Sequence, residues 1–174
     1  MARKRKEVEV LEFKGLTRDD FVYGINFTGS PDINFGKRGF NVIVPEDMVD
    51  GLLDEGWNVK PYEDRDTGML QHFLPVEVRF DKYPPIICII GSKTNVLTEL
   101  DEVSCGKVDS IIRNKLVGMD VTIAPSVRWE DEAWKIKAYL DEAIVTFRET
   151  DTGIRISRLR STDQPVDDGD DVPF

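Results

Sequence analysis

Three stretches of the chain place cations and aromatic rings on the same side of an extended backbone. Successive side chains of a β-strand point to opposite faces. In Trp134-Lys135-Ile136-Lys137-Ala138-Tyr139-Leu140, one face therefore carries Trp134, Ile136, Ala138 and Leu140, and the other carries Lys135, Lys137 and Tyr139. The first set has the composition of a core. The second has what a single-stranded nucleic acid needs: cations that track phosphates and a flat ring on which a base can stack. In Trp57-Asn58-Val59-Lys60-Pro61-Tyr62, Lys60 and Tyr62 share a parity opposite to Trp57 and Val59. In Phe73 to Phe80, the residues Val76, Val78 and Phe80 suit a core, which leaves Phe73 and Arg79 on the other side. Gly36-Lys37-Arg38-Gly39 puts two cations in a flexible turn before a strand. Trp129, at a strand end beside an acidic turn, either stacks a base or caps the core. A solvated strand face with one amphipathic Tyr explains any of these stretches alone; their recurrence points to one shared surface.

Other chemistry finds little support. Gly91-Ser92-Lys93-Thr94 resembles the end of a phosphate-binding loop, but Ser92 separates the Gly from the Lys that such a loop joins, so a polar turn is the better reading. Pro31-Asp32 opens a common nuclease pattern, yet no later Lys has an acid two places before it. Glu130-Asp131-Glu132 reads as a solvated hairpin turn. The single histidine, His72, lies between Gln71 and Phe73 without a partner motif and reads as structural or exposed. Two cysteines and one histidine cannot supply the four ligands of a zinc finger, and Cys88 within Ile86-Ile87-Cys88-Ile89-Ile90 reads as a buried thiol. No catalytic residue, metal or cofactor is expected.

The elements that must position the shared surface are mostly strands. Arg38 to Val44, Phe73 to Phe80, Ile86 to Gly91, Val117 to Val127, Trp134 to Leu140 and Ala143 to Glu149 are rich in Val, Ile, Phe and Thr. Val8 to Phe13 suits an edge strand. Asp81 to Pro85, Glu130 to Glu132 and Asp151 to Gly153 read as turns. Pro45 followed by Glu46 and Asp47 begins a helix with Met48, Leu52 and Leu53 on one face, and it stops at Gly56. A second short helix fits between Glu102 and Asn114. Many short strands with one or two helices predict a mainly β fold, a small barrel or sandwich. No apolar run approaches the roughly 18 residues of a membrane span, so a soluble intracellular protein without a membrane partner is expected.

Charge is unevenly distributed along the 174 residues, whose formal net charge is −10. This balance argues against duplex binding through bulk positive charge but leaves room for a local basic groove. Residues 161–174 hold five Asp and no Lys or Arg, which is half of the net charge. They contain too few apolar side chains to offset their own ordering entropy, and a disordered acidic tail is predicted. A basic cluster, Arg155, Arg158 and Arg160, precedes it. The tail ends Asp167-Asp168-Gly169-Asp170-Asp171-Val172-Pro173-Phe174. There Phe174 can enter an apolar pocket while its carboxylate pairs with a cation and the Asp residues steer it to a basic surface.

This tip resembles the C-terminal tip of bacterial single-stranded-DNA-binding proteins, where acids lead to Pro-Phe. The body is similar instead to the single-stranded-DNA-binding proteins encoded by tailed bacteriophages. Gly36-Lys37-Arg38-Gly39-Phe40-Asn41-Val42, Glu55-Gly56-Trp57-Asn58-Val59-Lys60, Phe73-Leu74-Pro75-Val76, Pro125 to Trp129 and Trp134 to Leu140 carry the likeness, over roughly residues 20 to 150. The resemblance implies an OB-fold-like domain over residues 1–160, a five-stranded barrel with extra elements, followed by the tail. It also implies a protein that coats single-stranded DNA during phage replication, recombination and repair, in the cytoplasm of the infected bacterial host. A homodimer is compatible with it.

The expected contacts follow from both readings. Lys37, Arg38, Lys60, Arg79, Lys135 and Lys137 would meet phosphates; Tyr62, Phe73, Trp129 and Tyr139 would stack bases. Asp167, Asp168, Asp170, Asp171, Val172, Pro173 and Phe174 would recruit polymerase, primase, helicase or recombinase, and would compete with DNA for the body's cations. Two alternatives are a protein-only adaptor, whose tail recruits partners without DNA, and a metal-dependent nuclease or nucleotide hydrolase. Deleting residues 161–174 is expected to tighten DNA binding, most at low salt; weaker binding after deletion would contradict the competition.

Overall fold

The computed structural model describes residues 6–162. It is mainly β. In chain order the elements are β1 (Leu11–Leu16), β2 (Phe21–Asn26), β3 (Gly39–Val44), α1 (Glu46–Glu55), β4 (Lys60–Glu63), β5 (Leu70–Glu77), β6 (Ile86–Gly91), β7 (Leu97–Leu100), α2 (Lys107–Asn114), β8 (Leu116–Glu130), β9 (Ala133–Phe147) and α3 (Asp151–Thr162). All strands join one sheet in the order β1-β8-β9-β5-β3-β2; β4 adds to β5, and the β6–β7 hairpin adds to β9.

The long strand β9 organises this sheet. It runs antiparallel to β8 along its length, pairs in parallel with β5 at Ala138 and Tyr139, and pairs in parallel with β6 from Glu142 to Phe147. One strand thus serves two neighbours on the same side in succession, and the sheet curls into a half-barrel around a core of Phe27, Leu74, Ile87, Ile112, Met119, Ile123, Ile136 and Leu140. The expected gap between Trp134–Leu140 and Ala143–Glu149 does not exist. A register shift opposite Thr122 and Ile123 inserts one extra residue into β9 instead. Such a bulge reverses the parity of everything after it: Ile136, Ala138 and Leu140 face the core before it, and Ala143 and Val145 after it.

The β8–β9 hairpin closes on Asp131 and Glu132, both with positive φ (52° and 61°). Two left-handed residues are what a two-residue turn requires to match the strand twist. The expected helix is α1, and the weaker expectation near Glu102 to Asn114 is realised as α2. Its Asp109 carboxylate, 5% exposed, accepts the Phe27 N–H (2.8 Å), the Thr28 N–H (3.1 Å) and the Thr28 hydroxyl (2.7 Å), tying α2 to the end of β2. Cys88 and Cys105 are both free and buried, and burial pushes both thiols up from their ordinary pKa.

Two differences are informative. Asp151-Thr152-Gly153 is not a turn but the first turn of α3, where the Thr150 hydroxyl oxygen accepts the Gly153 N–H at 3.0 Å. Arg155, Arg158 and Arg160 therefore ride on a helix, and the boundary expected at residue 160 falls within it. The strands β2 and β7 were not foreseen. The first breaks the period-two pattern by burying Phe21 and Val22 in succession, and the second is four mostly exposed residues. The tail positions Asp167, Asp168, Asp170, Asp171, Val172, Pro173 and Phe174 lie outside the described residues.

Gly56 locks helix to sheet. At φ 110° its N–H reaches back to the Leu52 and Leu53 carbonyls, and its own carbonyl accepts the Ile136 N–H at 2.9 Å. A methyl group at this position would strike the Trp134 carbonyl oxygen and backbone carbon. Gly56→Ala combines that collision with a left-handed backbone, and is expected to cost at least about 2 kcal/mol of stability. Urea unfolding, read by Trp fluorescence, measures it.

Candidate nucleic-acid interface

Residues directly opposite one another in a ladder share a face of the sheet. Lys60 lies opposite Phe73, Asn41 opposite Pro75, Gly39 opposite Glu77, and Glu77 opposite Tyr139. By alternation from these pairs, Tyr62, Lys137 and Lys135 join the same outer face. The stretches separated in sequence are therefore brought together across β4, β3, β5 and β9. Concavities run end to end along this face. The first lies among Tyr23, Asn41, Lys60, Phe73 and Lys37. The second, sharing Lys37 and Glu77 with it, continues past Arg79 to Lys137. The third, sharing Lys137, reaches Lys135 and Arg128, which lie opposite each other on β9 and β8; Trp134 and its ladder partner Trp129 are on the other face of the hairpin.

The aromatic rings form two small clusters. Tyr23, Tyr62 and Phe73 meet edge to face, with centroids 5.4 Å (Tyr23 to Tyr62), 5.3 Å (Tyr23 to Phe73) and 6.5 Å (Tyr62 to Phe73) apart. Phe73 is buried beneath the other two, whereas Tyr23 is 67% exposed. Tyr139 is buried under Tyr83, 4.8 Å away, and Lys137 Nζ sits 5.8 Å from its centroid. The rings that reach solvent at these two places are thus Tyr23, the partly buried Tyr62, and Tyr83. Sequence alternation found Tyr62, Phe73 and Tyr139, which parity puts on the outer face, but missed Tyr23 and Tyr83, which fold over the last two. Tyr23 has a left-handed backbone (φ 58°) in a stretch where the β2–β3 register shifts, and Tyr83 sits in a turn. Neither leaves a period-two signal. Trp129 packs edge to face on Trp134 across the hairpin at 5.0 Å and stays partly exposed.

The cations divide into three groups. Lys37 and Lys60 are exposed and pair with no carboxylate among the described residues. Lys135 pairs with Asp131 (3.3 Å), Lys137 with Glu77 (3.2 Å), and Arg79 with Asp81 through two 2.9 Å hydrogen bonds. The Asp81 carboxyl is held down at about 2, first by its hydrogen bonds from Arg79. Glu77 also lies 3.8 Å from Arg79, so one carboxylate in mid-face touches two cations. Arg38 turns inward. Its guanidinium donates to the Glu102 carbonyl at 2.9 Å and covers the Phe80 ring at 5.2 Å. His72 faces Glu46 at 4.0 Å, away from this surface. Among the described residues, no three His, Cys, Asp or Glu side chains are grouped to hold a metal ion.

Comparison with known proteins bears on this arrangement. A family model described as a phage ssDNA-binding domain matches residues 4–165. A solved structure of the single-stranded DNA-binding protein from bacteriophage Enc34 is similar at 13% identity and a TM-score of 0.42, covering 78% of this chain and 79% of that one. The gp2.5 single-stranded DNA-binding protein encoded by bacteriophage T7 is similar at 12% identity and a TM-score of 0.39, covering 83% and 94%. A comparison with curated proteins gives no match.

Proposed function

The chain belongs to the phage ssDNA-binding domain family, and from that premise we propose that it binds single-stranded DNA without sequence preference along the outer face of β4, β3, β5 and β9. The observation that carries this reading is the adjacency of the unpaired Lys37 and Lys60 to the Tyr23–Tyr62–Phe73 rings in one concavity. Phosphates neutralise the two lysines, and bases stack on exposed rings at about 1–3 kcal/mol per productive stack. Arg79, Lys135 and Lys137 are reserve cations. A phosphate arriving beside them replaces Asp81, Asp131 or Glu77 as counter-charge. In this role the protein coats single strands in replication, recombination and repair. The segment through Phe174 competes for the same cations and, once displaced, recruits replication or recombination proteins.

A titration with dT oligonucleotides, followed by Trp fluorescence with duplex DNA as control, tests the reading. Quenching by single strands with a weak duplex response is expected, and about four phosphate contacts give a salt slope of roughly −3. No response to dT would remove the reading and favour the adaptor. Two variants separate the cation groups. Lys60→Ala should weaken binding and flatten the slope by about 0.7, the loss of one phosphate contact. Glu77→Gln frees Lys137 and Arg79 from a partly exposed ion pair, and should tighten binding by about two- to fivefold at low salt.

A further inference from the structure

The loop between β2 and β3 carries a phenylalanine that contributes nothing to the core. Phe35 is 94% exposed. It is also left-handed, at φ 56° and ψ 32°, between Asn34 at φ 48° and Gly36 at φ 82°. Bulky side chains rarely take this conformation, because Cβ approaches the following carbonyl. The loop is nevertheless well held. Asn26, 1% exposed, donates its amide to the carbonyls of Ser30 (3.1 Å), Ile33 (3.1 Å) and Lys37 (3.2 Å), and its side-chain oxygen accepts the Gly29 and Ser30 N–H groups (both 2.9 Å). One buried side chain thus fixes the backbone on both sides of an exposed, strained ring. Residues held in unfavourable conformations by their surroundings cluster at functional sites.

Its position says which function. Asn34 lines the first concavity and Gly36 the second, so Phe35 stands between them, two residues before the unpaired Lys37. We propose that Phe35 is a base-stacking residue, a preorganised platform that receives a nucleobase whose phosphate lies on Lys37. This rests on the single-strand reading and deepens it. The proposal adds a stacking position at the junction of the groove, beside the concavity that Asn34 and Tyr23 line. A ring fixed before binding loses little freedom on contact, so more of its stacking energy appears as affinity.

The test uses the full chain, a fluorescently labelled dT oligonucleotide and anisotropy at several salt concentrations. Phe35→Ala should bind roughly five- to a hundredfold more weakly, the fold-change of one lost base stack, with an unchanged salt slope. Phe35→Trp should bind like the native chain. Phe35→Gly separates folding from binding: glycine takes positive φ freely, so its unfolding temperature should equal or exceed that of the native chain while its binding falls with the Ala variant. Native-like binding by both the Ala and Gly variants, in a chain that does bind dT, overturns the proposal. So does a flattened slope, which would mean that the ring only orients Lys37. Intact DNA binding with loss of a protein contact would make the ring a protein hook and overturn it as well. A native chain that fails to bind dT refutes the single-strand reading itself, and this proposal falls with it.

Discussion

The alternation of β9 is the constraint on which the rest of the molecule depends. One strand of fifteen residues must satisfy β8 on one side and β5, then β6, on the other. Because side chains alternate along β9 up to its bulge, burying Ile136, Ala138 and Leu140 sends Lys135, Lys137 and Tyr139 outward. The parallel pairing with β5 then aligns Glu77 with Tyr139, and the ladders from β5 to β3 and β4 add Asn41, Lys60 and Tyr62 to the same surface. The groove is therefore the reverse side of the core, and its continuity comes from hydrogen-bond register. Gly56 contributes by letting α1 end against β9, so that Trp57 packs beneath the strand while Lys60 emerges above it.

An acidic chain that takes up a polyanion must manage its own carboxylates. Here they are placed on the groove itself. Asp81, Glu77 and Asp131 each hold a cation of the outer face. Such exposed pairs add little to folding stability. They offset the cations they touch and hold Arg79 and Lys137 in defined positions. In the proposed binding mode a strand of phosphates, presenting many charges at once, would displace them. The exchange weakens as salt screens it over about 10 Å at 0.1 M. Lys37 and Lys60, which form no ion pair among the described residues, would provide the first contacts in that mode.

Much of this surface was legible in the sequence because it rests on short-range pattern. Lys60 with Tyr62, Phe73 with Arg79, and Lys135 with Lys137 sit where parity put them. What was not legible depends on backbone irregularity or on contacts between distant segments. Tyr23 and Phe35 both have positive φ, so neither belongs to a period-two or helical pattern. Arg38 looked like a free cation in a flexible turn; Glu102 and Phe80, far along the chain, turn it inward. Phe73 and Tyr139 were assigned to the correct face, but rings from elsewhere cover them. The third helix was missed because Asp151-Thr152-Gly153 suits a turn and a helix start equally, and only the Thr150 cap decides between them.

The central claim is that one face of the sheet, the one opposite the core, holds the single strand. Photocrosslinking with oligonucleotides carrying 5-iododeoxyuridine at successive positions, with the modified peptides mapped by mass spectrometry, tests it most directly. The account predicts crosslinks at Tyr23 and Tyr62 and near Lys135 and Arg128, along one line from β2 to the β8–β9 hairpin. Crosslinks confined to the far side, around β6, β7 and α3, would contradict it.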